Sequence, residues 1–340
     1  MVIEFEKIRK KSTFLDPRRG FEESSLPIEM RKDPLTKRTC TLLEFRLKMP
    51  EKPDLSKMVD KSLGGCPFCP ESIEKTTPKF PEELISEGRI NLEEAWVVPN
   101  LMPYSEYSAI TIISKEHFVE MGDFTEEMLS NAFMASQIYL RRASECDRRL
   151  KYFFVDWNYM PPSGGSVIHP HLQVFASDLP TEYQKMILEA SEKYHNEQKS
   201  NFWDDLIKRE RKLEERYIGA VGRTHWVTSF TSRSMMFEVM AVIQGKESIL
   251  SMLDSDIKDL STGIRRVLQY LSDQNFYSFN LSIYSGSVGQ DYFWTNARIV
   301  PRFTLPPLGL SDVSFPRMLH DMLFCVRRPE EVCKELREYF

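Results

Sequence analysis

The stretch SVIHPHLQVF, residues 166–175, sets two of the chain's six histidines one proline apart, with a glutamine two residues past the second. An imidazole with one nitrogen held as a donor presents the other's lone pair to a metal ion or to an electrophile. Upstream, Cys66 and Cys69 stand in GGCPFCP, and His117 follows an apolar run ending at Ser114. A CxxC pair in a cytosolic chain serves as a redox couple, as half of a metal site, or as two plain reduced thiols. Four Cys and His ligands make the common closed tetrahedral zinc site, and Cys66, Cys69, His117 and His169 supply that number from a glycine-framed turn and two strand ends. Such a site leaves no position open. One structural Zn2+ per chain is therefore expected, orienting the histidine strand.

With His169 turned to metal, Pro170 restrains the backbone and His171 falls on the same face of the strand. The carbonyl of His169 is a partner for one ring nitrogen of His171, which leaves the other as a nucleophile. Gln173 lies on that face again, with an amide suited to a phosphate oxygen. Gly164, Gly165 and Ser166 precede the strand with backbone N–H groups and a hydroxyl that suit phosphate too. A buried polar strand is the alternative reading of the same residues. His195 in a charged helical stretch and His320 near the C-terminus read as ordinary, while His225 beside Trp226 is a candidate for the cleft wall.

Such residues need strands to hold them. Residues 96–100, 108–114, 152–158 and 171–176 read as strands, with a helix over 124–143 between the second and third. A long charged helical stretch is expected over 181–216. The order then recurs: HWVTSF from His225, FEVMAVI from Phe237, a helix over 254–271, then FYSFNLSIY and FWTNARIVPR. A last helix is expected over 329–338. The fold class expected is α+β, with two related halves, each an antiparallel sheet with helices, packed as a pseudo-twofold pair. The division is expected at 1–218 and 219–340. HPHLQ in the first half becomes TNARI in the second, so only the first keeps histidine chemistry.

A formal charge of −5, from 45 basic and 50 acidic residues, gives no basic footprint for nucleic acid. The absence of long apolar runs argues against a membrane span, and the opening MVIEFEKIRKK is unlike a secretory leader. A cytoplasmic enzyme is expected. Six irregularly spaced cysteines do not suggest a disulfide scaffold.

Taken in order, RKDPLTKRT, CPFCP, VPNLMPY, SKEH and GGSVIHPHLQ resemble the motifs of the galactose-1-phosphate uridylyltransferase family, within the histidine-triad superfamily, over nearly the whole chain. The resemblance implies ping-pong transfer of a nucleoside monophosphate from a nucleoside diphosphate sugar to a sugar 1-phosphate. His171 would be the nucleophile and Gln173 would hold the phosphate. Ser166 and Asn158 would contact phosphate oxygens, and Asn100 the nucleotide. Cys66, Cys69, His117 and His169 would bind zinc. Homodimers are common in the family. Two departures stand out. Phe293 and Thr295 flank Trp294 where the family often carries metal-binding histidines, so no second metal site is expected. Arg298, farther along that strand, reads as a surface arginine with phosphate as the alternative partner. Arg317 and Met318 replace a tyrosine and glutamate that recognise hexose, which argues against galactose 1-phosphate as the acceptor. An alternative within the superfamily is a phosphorylase or adenylyltransferase acting on ADP-sugar, adenine dinucleotide or adenylylsulfate with inorganic phosphate. A noncatalytic nucleotide-binding protein ranks lower.

Overall fold

Strand residues that alternate between two faces build the ten-stranded sheet of this computed structural model, which describes residues 3–43, 51–305 and 309–340. The chain runs through β1 (Glu6–Asp16), β2 (Glu22–Lys32), β3 (Thr39–Leu43), α1 (Ser56–Leu63) and α2 (Pro70–Thr76). Next come β4 (Ile90–Leu92), β5 (Ala95–Pro99), β6 (Tyr107–Ile112), α3 (Glu126–Cys146), β7 (Tyr152–Tyr159) and β8 (His171–Ser177). Helices α4 (Glu182–Gln198) and α5 (Phe202–Leu213) lead to β9 (Tyr217–Val221), β10 (Thr224–Thr228), β11 (Val239–Ile243), α6 (Asp254–Asp273), β12 (Ser278–Ser285) and β13 (Asn296–Arg302). The chain closes with β14 (Thr304–Leu305), β15 (Leu310–Ser311), α7 (Phe315–His320), β16 (Leu323–Cys325) and α8 (Pro329–Leu336).

The order of the large sheet, β4-β5-β6-β8-β7-β12-β13-β11-β10-β9, contains one motif twice. Three strands, a helix and a hairpin recur, and the copies meet antiparallel at the β7–β12 seam. Gln173, Asp156, Ser282 and Arg298 form a row straight across β8, β7, β12 and β13. A half-turn about the seam maps this row onto itself, and it carries His171 onto Asn296. The expected pseudo-twofold α+β arrangement is present.

Alternation divides each strand's side chains between the two faces. Val97, Val155, Val174, Ala241, Leu281 and Ile299 join the main core on one face, under α3 and α6. Thr125 caps α3 by accepting from the Met128 N–H, and Glu126 and Glu127 follow in its first turn. In α6, Gly263 lies so close to the Trp226 indole that an added Cβ would sit 2.2 Å from the ring. The opposite face is covered by helices at its ends. Ile73 of α2 packs on Val98, Ile110 and Ile112, while Ile187 of α4 and Trp203 of α5 pack with Val227, Met240 and Val242. Between these covers, the centre of the sheet floors a groove.

The helical stretch expected over 181–216 is made of two helices. Lys199 takes a left-handed φ of 55° that ends α4, and Asn201 starts α5 by accepting from the N–H groups of Trp203 and Asp204. The sequence reading also missed the β1–β2 hairpin, whose residues are mostly exposed and so lack a period-two apolar signal. That hairpin joins β3 and, in parallel, β16 in a second, four-stranded sheet. No helix among the described residues is long and apolar enough to cross a membrane.

Candidate active site and metal centre

Cys66 and Cys69 lie between α1 and α2, and Cys69 is the N-cap residue of α2. The ligand atoms of Cys66, Cys69, His117 and His169 all lie within 4.8 Å of one another. His169 Nε2 donates to the Ser114 carbonyl at 2.8 Å, leaving Nδ1 3.6 and 3.7 Å from the two sulfurs. His117 repeats the logic: its Nε2 bonds the Ser62 hydroxyl at 2.9 Å and its Nδ1 faces Cys69 Sγ at 3.5 Å. Outer oxygens thus fix both tautomers so that a lone pair points inward, the arrangement a metal-binding histidine needs. Burial holds the His169 imidazole neutral, lowering its pKa to about 4. Burial, with the Cys66 thiol beside it, pushes the Cys69 thiol up. A divalent cation would reverse that penalty by stabilising thiolate. The residues fit a metal ion.

His171 opens β8 on the groove face, 6% exposed. Its Nδ1 donates to the His169 carbonyl at 2.8 Å, so Nε2 carries the lone pair. Burial lowers its pKa, with the bond to that carbonyl opposing, and the neutral form dominates. Phe68, between the two cysteines, packs against the His171 ring at 5.3 Å between centroids. The CPFC knuckle therefore also walls His171. The sequence reading did not single out Phe68, although its place inside CPFC was a signal.

Gln173 lies one step along the strand. Its Oε1 accepts from Asn100 Nδ2 at 3.0 Å, and Asn100 Oδ1 accepts in turn from the Met102 N–H. The Gln173 amide nitrogen is thereby aimed away from Asn100, toward the groove. Asn158 Oδ1 accepts from Asn280 Nδ2 at 2.6 Å, and the Asn158 Nδ2 lies near the Gly164 turn. Ser166 is exposed at the end of that turn. Gly164 and Gly165, expected to offer N–H groups to phosphate, spend them on the carbonyls of Pro161 and Met160. Gly165 serves close packing instead, because a Cβ there would meet the Asn158 carbonyl oxygen at 2.8 Å.

Asp156, opposite Gln173 in the register, was also missed. Burial raises its pKa to about 7, with the nearby Ser282 hydroxyl opposing. Its signal was weak: one acid inside the otherwise apolar YFFVDWNY. Arg298 is not a surface residue. Its side chain is 11% exposed and paired with the fully buried Glu238 at 2.5 Å. His225 is held by Tyr217 and Gln244 in the second half.

A protein of Archaeoglobus fulgidus described as uncharacterized is 33% identical over 313 residues, 92% of each chain. No family model matches the chain. Among solved structures, an ADP-glucose phosphorylase from Arabidopsis thaliana with bound ADP-glucose is similar in fold, with a TM-score of 0.72 and 20% identity over 92% of this chain and 99% of that one. A GalT-like protein from the same plant gives a TM-score of 0.71 and 19% identity over 91% and 98%.

Proposed function

The chain belongs to one family with the Archaeoglobus fulgidus protein and has the fold of the GalT-like structure, and on that premise we propose that it is a nucleotidyltransferase working through a covalent nucleotidyl-histidine at His171. The observation that carries this reading is the His171 ring itself, with Nδ1 tied to the His169 carbonyl, Nε2 free, and Gln173 in step on the same face. In the first displacement, Nε2 attacks the α-phosphorus of a nucleoside diphosphate sugar and the bond to the β-phosphate oxygen breaks, releasing sugar 1-phosphate. In the second, a phosphate oxygen of the acceptor attacks the same phosphorus and the imidazole leaves. Gln173, Asn158 and Ser166 donate to the phosphate oxygens where negative charge builds up, and Asn100 borders the nucleotide. Preset orientation of His171 removes part of the entropic cost of attack.

Cys66, Cys69, His117 and His169 would hold one Zn2+, whose contribution is to keep the knuckle and Phe68 seated against the strand. The preferred acceptor is a sugar 1-phosphate. In the second reading it is inorganic phosphate, the donor being an adenine nucleotide; this is favoured by the phosphorylase among the similar folds and by Arg317 and Met318 in the C-terminal segment. We propose a homodimer. A cytoplasmic setting fits the unpaired cysteines.

The test is to incubate the enzyme with a donor labelled at its α-phosphate, omit acceptor, and locate the acid-labile adduct by peptide mapping. Label on His171, discharged by a phosphate acceptor, is the expected outcome. Label on another residue, or full activity in His171→Ala, overturns the mechanism. A screen of UDP- and ADP-sugars against sugar 1-phosphates and inorganic phosphate separates the two readings.

A further inference from the structure

One carboxyl on the groove floor has no part in the transfer just described. Asp156 stands on β7 directly opposite Gln173 of β8, with Ser282 of β12 opposite it across the seam. Val155 and Trp157 on either side point into the main core, so Asp156 shares the groove face with Asn158. Part of its surface stays open to the groove. Directly opposed side chains of an antiparallel pair lie about 5 Å apart at Cβ, and diagonal ones about 7–8 Å. Asp156 is therefore beside Gln173 and diagonal to His171, with room for a phosphoryl group between the carboxyl and the imidazole.

Its side of the groove decides what it meets. Asn100, which the proposed reading sets against the nucleotide, reaches Gln173 from the β5–β6 side. Asp156 stands on the β7 side, the one left for the departing phosphate. An ionised carboxylate would repel that group, whereas a carboxylic acid would donate to it. Besides neutral His171 on β8, the titratable group facing Asp156 is Tyr284 on β12. Farther out, Arg233 lies over the ring of Tyr183 in α4, and Arg298 of β13 gives Nη1 to Glu238. Burial, opposed by the Ser282 hydroxyl, pushes the Asp156 pKa up to about 7. A negative phosphate bound beside it raises that pKa further.

We propose that Asp156 is a further catalytic residue of the transfer, a neutral acid whose O–H donates a hydrogen bond to the oxygen leaving the α-phosphorus. The role rests on the nucleotidyl-histidine reading. As the bond from Nε2 to phosphorus forms, the phosphorus–oxygen bond breaks and its electron pair stays on the departing oxygen. The Asp156 hydrogen bond strengthens as that charge grows, and no proton changes hands. The second displacement retraces the first, with the same O–H on the attacking oxygen of the acceptor. Transfer is then fast while Asp156 is protonated and slow once it ionises.

Single-turnover labelling of His171 in the full-length, metal-loaded protein tests this, with UDP-glucose and ADP-glucose labelled at the α-phosphate. The natural protein should hold its rate up to about pH 7 and lose at least about tenfold by pH 9. Asp156→Asn keeps an N–H donor and cannot ionise. It should label within about threefold of the natural rate at pH 6.5 and show no fall by pH 9. Asp156→Ala should be at least about tenfold slower at pH 6.5 and equally flat. Rescue by asparagine and loss of the pH limb are readouts that a merely structural carboxyl would not move. An unchanged limb in Asp156→Asn, or full speed in Asp156→Ala, overturns the role of Asp156 alone. Absence of label on His171 at every pH with both donors overturns the nucleotidyl-histidine reading and this role with it.

Discussion

In the proposed mechanism Gln173 offers one end of its amide only, because Asn100 holds the other. Asn100→Ala frees Gln173 to rotate and should lower kcat about tenfold, roughly the worth of one charge-assisted hydrogen bond in the transition state. Metal content should stay unchanged. If steady-state kinetics show KM rising with kcat intact, Asn100 acts on the nucleotide alone and the positioning role fails. Asp156 gives a second prediction at this scale. The unfolded chain releases the Asp156 proton near pH 4, and the folded chain keeps it until about pH 7. Stability should therefore fall as pH rises through that window and level off above it. Asp156→Asn should flatten the slope and add up to about 4 kcal/mol above pH 7. Denaturant unfolding at pH 4, 6 and 8 measures both, and parallel curves for the two proteins would refute it.

The knuckle between α1 and α2 would depend on the proposed metal ion. His169→Ala should lose the ion and at least ~2 kcal/mol of stability, whereas His171→Ala should keep the ion, as read by metal analysis and thermal melting. Loss of metal in both variants would mean that the two imidazoles do not divide their roles. The contact of α6 with β10 is just as specific. Gly263→Ala gains helix propensity worth ~1 kcal/mol, but its Cβ has no room beside Trp226, and a net loss of roughly 1–3 kcal/mol is expected in urea melts. The proposed division of the halves belongs at this scale too. A boundary at 218/219 would cut β9, which begins at Tyr217, so we propose to place it in the turn before that strand.

The molecule as a whole is a symmetric sheet with an asymmetric load. The half-turn about the β7–β12 seam brings Asn296 to the place of His171, and α4 and α5 cover the outer face of the second half. On the proposed mechanism, one transfer site per chain follows. Quantified labelling should saturate at one nucleotidyl group per chain, and His171→Ala should take it to zero. Two groups per chain, or a residual half, would mean that the second copy reacts. Light scattering should return twice the chain mass for the proposed homodimer.

Local chemistry was legible before any coordinates. The grouping of CPFC with His117 and His169 could be read from residue type and strand position, and the repeat from the order of strands and helices. These properties are encoded within short segments, where neighbours along the chain decide the outcome. What lay beyond the sequence depended on partners far apart in it. Asn100 meets Gln173 across β6, Phe68 turns onto His171, and Asn158 finds Asn280 over the seam. Arg298, a surface residue by its local pattern, is mostly covered and paired with the buried Glu238. Burial of Asp156, and with it a carboxyl neutral up to about pH 7, exists only once β12 closes against β7. Desolvation and charge pairing are set by the atoms that surround a group, and only the closed sheet supplies them.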